Sequence, residues 1–156
     1  VIFYTDDKRD KVSFTFRADK VLDVHGRYFV EDANGNLLGM FKKEFMASLL
    51  NSTWKVLDAQ GNELLMVRES NQVLAALRRF IGNIPLVGDL AEIVILFFKY
   101  HFEFIDLRTN QVVATYQKTT LIRDQYLLST TNDAWNAIDW RVYAAMSVAL
   151  DALQSR

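Results

Sequence analysis

Residues 28–44 read YFVEDANGNLLGMFKKE, and the pattern returns twice, as WKVLDAQGNELLMVRES at 54–70 and FEFIDLRTNQVVATYQK at 102–118. The three stretches align without gaps on Asp32, Asp58 and Asp106. Four positions before the aspartate stand Tyr28, Trp54 and Phe102, and two before it Val30, Val56 and Phe104. Four after it come Asn36, Asn62 and Asn110, six after it Leu38, Leu64 and Val112, and eight after it Met40, Met66 and Ala114. Apolar residues thus fall at even offsets on both sides of a polar middle. That is the two-residue period of a strand, so each unit is expected to be a hairpin with one buried face. Tyr28, Trp54 and Phe102 are expected inward at equivalent places. Glycine and asparagine in turns 33–36 and 59–62 tolerate the positive φ of tight hairpins. A divergent loop, 107–111, closes the third.

Outward from the hairpins, residues 12–16 and 121–128 alternate as strands do, and 21–24 and 45–50 do so over shorter runs. Residues 93–106 are rich in β-branched and aromatic side chains, as in one bent strand or two in succession. Two helices interrupt this pattern. The first, 71–81, starts at Ser70 or Asn71 and stops at Gly82, with Pro85 beyond. Val73, Leu77 and Phe80 share its apolar face, and Arg78 and Arg79 lie towards the other side. The second, 133–153, is capped by Asn132 or Asp133. From Val142 to Leu150 its only polar residue is Ser147. A helix apolar all round is expected to be buried all round. Nine residues rise only about 13 Å, too short to cross a bilayer. Ala144, Ala145, Ala149 and Ala152 keep this helix slim. A slim apolar helix in a β-rich chain implies a sheet wrapped around it, and the candidate strands number about ten to twelve, enough to enclose a helix.

Composition sets the outer limits. The chain has 156 residues, which fits one domain spanning 1–156 with a sizeable core. Net charge is −1, without the basic excess of a dedicated nucleic-acid binder. There is no cysteine, which excludes disulfides, thiolate metal sites and cysteine nucleophiles and fits a reducing compartment. The chain begins at Val1 rather than Met, which reads as a processed or trimmed N-terminus, and no signal-peptide pattern is present. No apolar run approaches the roughly 20 residues of a membrane span.

No catalytic constellation is recognisable. His25 and His101 are the only histidines, in strand-like contexts without metal-ligand spacing, and ordinary packing or surface roles are expected for both. There is no Gly-x-Ser-x-Gly elbow. Asp32-Ala33-Asn34-Gly35-Asn36 resembles a calcium loop only superficially: its glycine is fourth and its twelfth position is Lys43, so a plain turn is expected. The glycines of 82–88 lack the Lys-Ser/Thr ending of a phosphate loop. Lys42, Lys43, Arg78 and Arg79 form the two local basic pairs. Their ordinary role is solvated surface charge. Their sharper role is contact with anionic lipid headgroups, aided by the amphipathic helix 71–81.

The tandem aromatic-x-Val-x-Asp-x-x-Gly-Asn hairpins and the apolar C-terminal helix resemble the LURP-one-related family, grouped with the tubby C-terminal domain and the phospholipid scramblases. The likeness is clearest over 27–70 and 100–118, with 140–153 in support. It implies a closed twelve-stranded antiparallel barrel around the C-terminal helix. Tubby domains bind phosphoinositide headgroups and scramblases are tied to calcium and lipid movement, whereas many LURP-one-related proteins have no defined activity. The tubby basic residues have no clear counterparts here. The scramblase acidic segment would fall near 132–139, where only Asp133 and Asp139 are acidic, which speaks against calcium ligation. The expected function is therefore a non-enzymatic, cofactor-free module, cytoplasmic and peripheral to membranes, that binds anionic phospholipid or tethers partners there. The alternative is a soluble protein-interaction or scaffold domain using the exposed face of 71–89. A helix filling the barrel leaves no room for a small-molecule cargo.

Overall fold

Each of the three repeated hairpins turns on its aspartate. In the structure, a computed structural model, Asp32 Oδ1 accepts the N–H groups of Asn34 and Asn36 at 2.8 and 2.9 Å, and Oδ2 accepts the Asn36 amide at 2.8 Å. Asp58 repeats this with Gln60 and Asn62 at 2.9, 2.8 and 2.8 Å. Gly35 and Gly61 supply the left-handed residue, at φ +84° and +91°. In the third hairpin Asp106 holds the Arg108 N–H at 2.8 Å, and the left-handed residue is Asn110 at φ +56°, one position later.

These hairpins are part of one sheet. The structure describes residues 1–19, 26–44, 53–70, 101–120 and 125–154. They form β1 (Ile2–Tyr4), β2 (Val12–Ala18), β3 (Arg27–Asp32), β4 (Leu37–Glu44), β5 (Thr53–Leu57), β6 (Glu63–Glu69), β7 (His101–Asp106), β8 (Gln111–Lys118) and β9 (Tyr126–Thr130), then helices α1 (Ala134–Ala137) and α2 (Trp140–Gln154). The nine strands make one antiparallel meander in chain order, each beside its sequence neighbour. Hydrogen bonds do not close β1 onto β9 among the described residues. Strand β1 had no signal in the sequence. Strand β9 lies later than the expected 121–128. The expected segments 21–24, 45–50, 71–81 and 93–100 lie outside the described residues.

A meander has two ends, and here they differ. The turns 5–11, 33–36, 59–62 and 107–110 and the β9–α1 connection all lie at one end, called here the turn end. The last residues of β2, β4, β6 and β8 and the first residues of β3, β5, β7 and β9 lie at the other, the connection end.

The apolar pattern is corrected at one point. Tyr28, Trp54 and Phe102 do share the inner face with Val30, Val56 and Phe104. The return strands do not keep the even offsets. A bulge interrupts each hairpin just before its aspartate, and the extra residue is Leu38, Leu64 or Val113. A bulge reverses the facing of everything beyond it. Gly39 and Phe41, then Leu65 and Val67, therefore face inward, and Met40 and Met66 face outward opposite Phe29 and Ile105. Met40 is nonetheless buried, its methyl beside the Gly61 turn. The third turn is one residue longer, so Ala114 and Tyr116 face inward as expected.

Helix α2 lies on this inner face. Val142, Tyr143, Ala145, Met146, Ala149 and Leu150 are buried against it, and the Ser147 hydroxyl donates to the Tyr143 carbonyl at 2.9 Å. The side chain of Leu153 lies outside the described residues. Burial is not complete all round: Trp140, Ala144, Val148 and Ala152, four apart, are exposed or half-buried, and Val148 retains 38% of its surface. The expected single helix 133–153 is also broken. Ile138 is extended, and α2 is capped by Asp139, whose carboxylate accepts the Arg141 N–H and guanidinium at 2.9 and 2.7 Å. This cap pins the chain's re-entry into the helix over Gly39.

Asparagine and backbone donors hold the Asp32 and Asp58 carboxylates below their usual range. A carboxylate with a depressed folded pKa stabilises the fold above its unfolded value, near 3.9, and that contribution is lost as pH falls through the folded value. Asp32→Asn/Asp58→Asn keeps an acceptor but no charge. Thermal melts from pH 6 down to pH 2 are expected to fall less steeply below pH 4 for this variant than for the parent chain. Parallel curves would show that the turn carboxylates carry no such linkage.

Candidate functional site

Adjacent residues of a strand face opposite ways, and Lys42 and Lys43 do so near the connection end of β4. Lys43 pairs with Trp54 on the inner face, its ammonium 5.8 Å from the indole centroid. Lys42 faces outward between Arg27 of β3 and Lys55 of β5. The sheet register thus builds a cross-strand row, Arg27–Lys42–Lys55, from residues distant in sequence. Strands stand about 4.8 Å apart, so the row spans roughly 10 Å.

One carboxylate serves two of these cations. Glu63 lies 2.7 Å from Lys42 Nζ and 3.4 Å from Lys55 Nζ. Lys42 first, then Lys55, draws the Glu63 pKa below its usual value. Like charges set directly opposite one another repel. Lys42 and Lys55 share Glu63, and Arg27, exposed at the end of the row, stands beside Asp19. An added anion would relieve that repulsion.

The other sequence-based candidates resolve differently. Arg78, Arg79 and His25 lie outside the described residues. His101 opens β7, opposite Gln117. The calcium-like loop at Asp32 is a turn whose carboxylate oxygens are engaged by its own N–H groups. Among the described residues no three His, Asp or Glu side chains gather as a metal site would need. Asp139 is held by Arg141, and the buried Asp106 by Arg108. Burial, with the Asp106 charge nearby, pushes the Tyr143 hydroxyl up to about 12, and it donates to the Ala134 carbonyl at 3.1 Å.

Sequence reasoning found Lys42 but missed Arg27 and Lys55. The pair Lys42-Lys43 was conspicuous because it is contiguous. The row depends on register across three strands, and the bulges that set register have no sequence signal of their own.

The three hairpins and the C-terminal helix are the features on which the family likeness rested, and the family comparison extends over nearly the whole chain, matching residues 2–151. The chain belongs to the LURP-one-related family. This LURP-one-related domain matches no curated protein and no solved structure. No described helix is long and apolar enough to cross a membrane.

Proposed function

We propose that this LURP-one-related domain is a non-enzymatic module that binds anionic lipid headgroups at a membrane surface. The observation that carries the reading is the Arg27–Lys42–Lys55 row with Glu63 as its shared carboxylate. Arg78 and Arg79 complete the proposed basic set, whereas Lys43, over Trp54 on the inner face, stands apart from the row. The likeness to tubby and scramblase domains favours the same ligand class. In this reading the domain is peripheral to the cytoplasmic leaflet, where anionic lipids concentrate. The same likeness proposes a closed twelve-stranded barrel around the C-terminal helix.

Such binding is weak by construction. A cation near an anionic surface contributes about 1 kcal/mol, roughly fivefold in affinity. The row is about one Debye length wide at 0.1 M salt, so its charges act together at low salt and are screened above that. Flotation with phosphatidylserine or phosphoinositide vesicles at 20 mM salt is expected to recover the chain, and neutral phosphatidylcholine vesicles to leave it behind. Arg27→Glu removes one charge and adds its opposite, so it should weaken binding about thirtyfold. Glu63→Gln should tighten it about fivefold. If anionic vesicles recover nothing at low salt, the reading passes to the soluble interaction domain.

A further inference from the structure

We propose that the turn end docks a basic polypeptide segment, one carrying arginine or lysine among apolar residues, across Trp135 and Trp140. This inference is independent of the lipid reading and concerns the opposite end of the sheet. Both indoles are held from behind and open in front. Trp140 packs edge-on against Phe14, at 5.6 Å, and Trp135 against Tyr143, at 6.5 Å. They nevertheless keep 48% and 53% of their surface exposed. Five residues apart in the chain, their Cα atoms lie within about 18 Å of each other. Leu107 and Val112, at the β7–β8 turn of the same end, are also exposed. Rigid, half-exposed tryptophans are the side chains most enriched as anchors of protein interfaces.

Charge selects the occupant. The cations of this end are matched close by: Lys8, Arg9 and Lys11 share the first turn with Asp6, Asp7 and Asp10, Arg108 grips Asp106, and Arg141 grips Asp139. Asp32, Asp58 and Asp133 remain in excess. Asp32 and Asp58 are satisfied by N–H groups, which leave the negative charge in place. Trp140 sits beside Asp32, because its partner Phe14 is opposite Asp32 in the sheet; Arg141 acts on both Asp139 and Asp32, one cation against two carboxylates. A negative field around exposed indole faces suits guanidinium and ammonium groups, which are held by both. The same field opposes anionic lipid and nucleic acid.

The test uses a fluorescein-labelled Arg-Leu repeat peptide, its Glu-Leu counterpart and neutral phosphatidylcholine vesicles. Anisotropy should show the Arg-Leu peptide binding the full chain, weakening with salt, and the Glu-Leu peptide not binding. Trp135→Ala/Trp140→Ala should reduce affinity at least tenfold. Trp135→Ala alone, which leaves the Phe14 contact intact, should reduce it at least threefold with an unchanged circular dichroism spectrum. Equal affinity in these variants, no binding of the Arg-Leu peptide, or equal binding of the Glu-Leu peptide overturns the proposal. So does a blue shift of tryptophan emission on neutral vesicles that both alanine variants abolish, which would make the surface a membrane anchor.

Discussion

Ala145→Arg is expected to abolish soluble, folded protein. Ala145 has no exposed surface, and its α2 neighbours Val142, Met146 and Ala149 are buried with it against the sheet. The buried carboxylate on the inner face, Asp106, is already engaged by Arg108. An arginine here would be a buried charge without a partner, costing several kcal/mol. Domains of this size are stable by about 5–15 kcal/mol in total. The matched control is Val148→Arg, three residues along on the open stripe of the same helix, which is expected to fold. Soluble yield and a circular dichroism melt of both variants decide the matter. Loss of both would mean that the stripe at Val148 is covered, and survival of both would remove α2 from the core.

Gly39→Val is expected to destabilise the domain by about 1–3 kcal/mol or more, the usual cost of forcing volume into a packed core. A Cβ at this position would meet the Leu57 carbonyl oxygen at 2.9 Å, Ile138 Cδ1 at 3.0 Å and Val142 Cγ2 at 3.1 Å. The first contact is backbone of the neighbouring strand and cannot turn aside. The other two are side chains at the bend before α2 and in its first turn, so Gly39 is where the sheet admits the helix. A double-mutant cycle with Ile138→Ala separates the two effects. Urea denaturation should show a loss for Gly39→Val/Ile138→Ala smaller than the sum of the single losses. Simple additivity would mean that Ile138 does not press on position 39.

Much of this architecture was legible because it is local. An aspartate that caps its own turn, followed by glycine and asparagine, specifies a hairpin within a few residues, and repetition made the signal threefold. The apolar run of α2 likewise announced a buried helix. What the sequence concealed depends on events between strands. One extra residue at each bulge moved Phe41 and Val67 inward and Met40 and Met66 outward, although all four are apolar and the pattern accommodated either arrangement. The break at Ile138 was hidden because its neighbours are all compatible with helix. The break became visible only through Asp139 gripping Arg141 and the Arg141 N–H. The candidate site was half legible. Lys42 and Lys43 attracted notice by adjacency, which in a strand means opposite faces, whereas the partners of Lys42 are Arg27, fifteen residues earlier, and Lys55, thirteen later. Trp135 and Trp140 carried no signal as a surface, since tryptophan in an apolar segment reads as core.

The central claim is that the two ends of the sheet meet different chemistries, with anionic lipid at the connection end. The absence of cysteine makes a direct test simple, because a single introduced thiol takes a fluorophore at one place. Asp19→Cys puts the dye beside Arg27, to whose carbonyl Asp19 donates its N–H at 2.9 Å, and Asn34→Cys puts it at the tip of a turn at the far end of β3. The measurement is quenching by phosphatidylserine vesicles that carry nitroxide headgroups, at 20 mM salt. Strong quenching at position 19 with little at position 34 is the predicted result; equal quenching at both, or stronger quenching at position 34, would contradict the account.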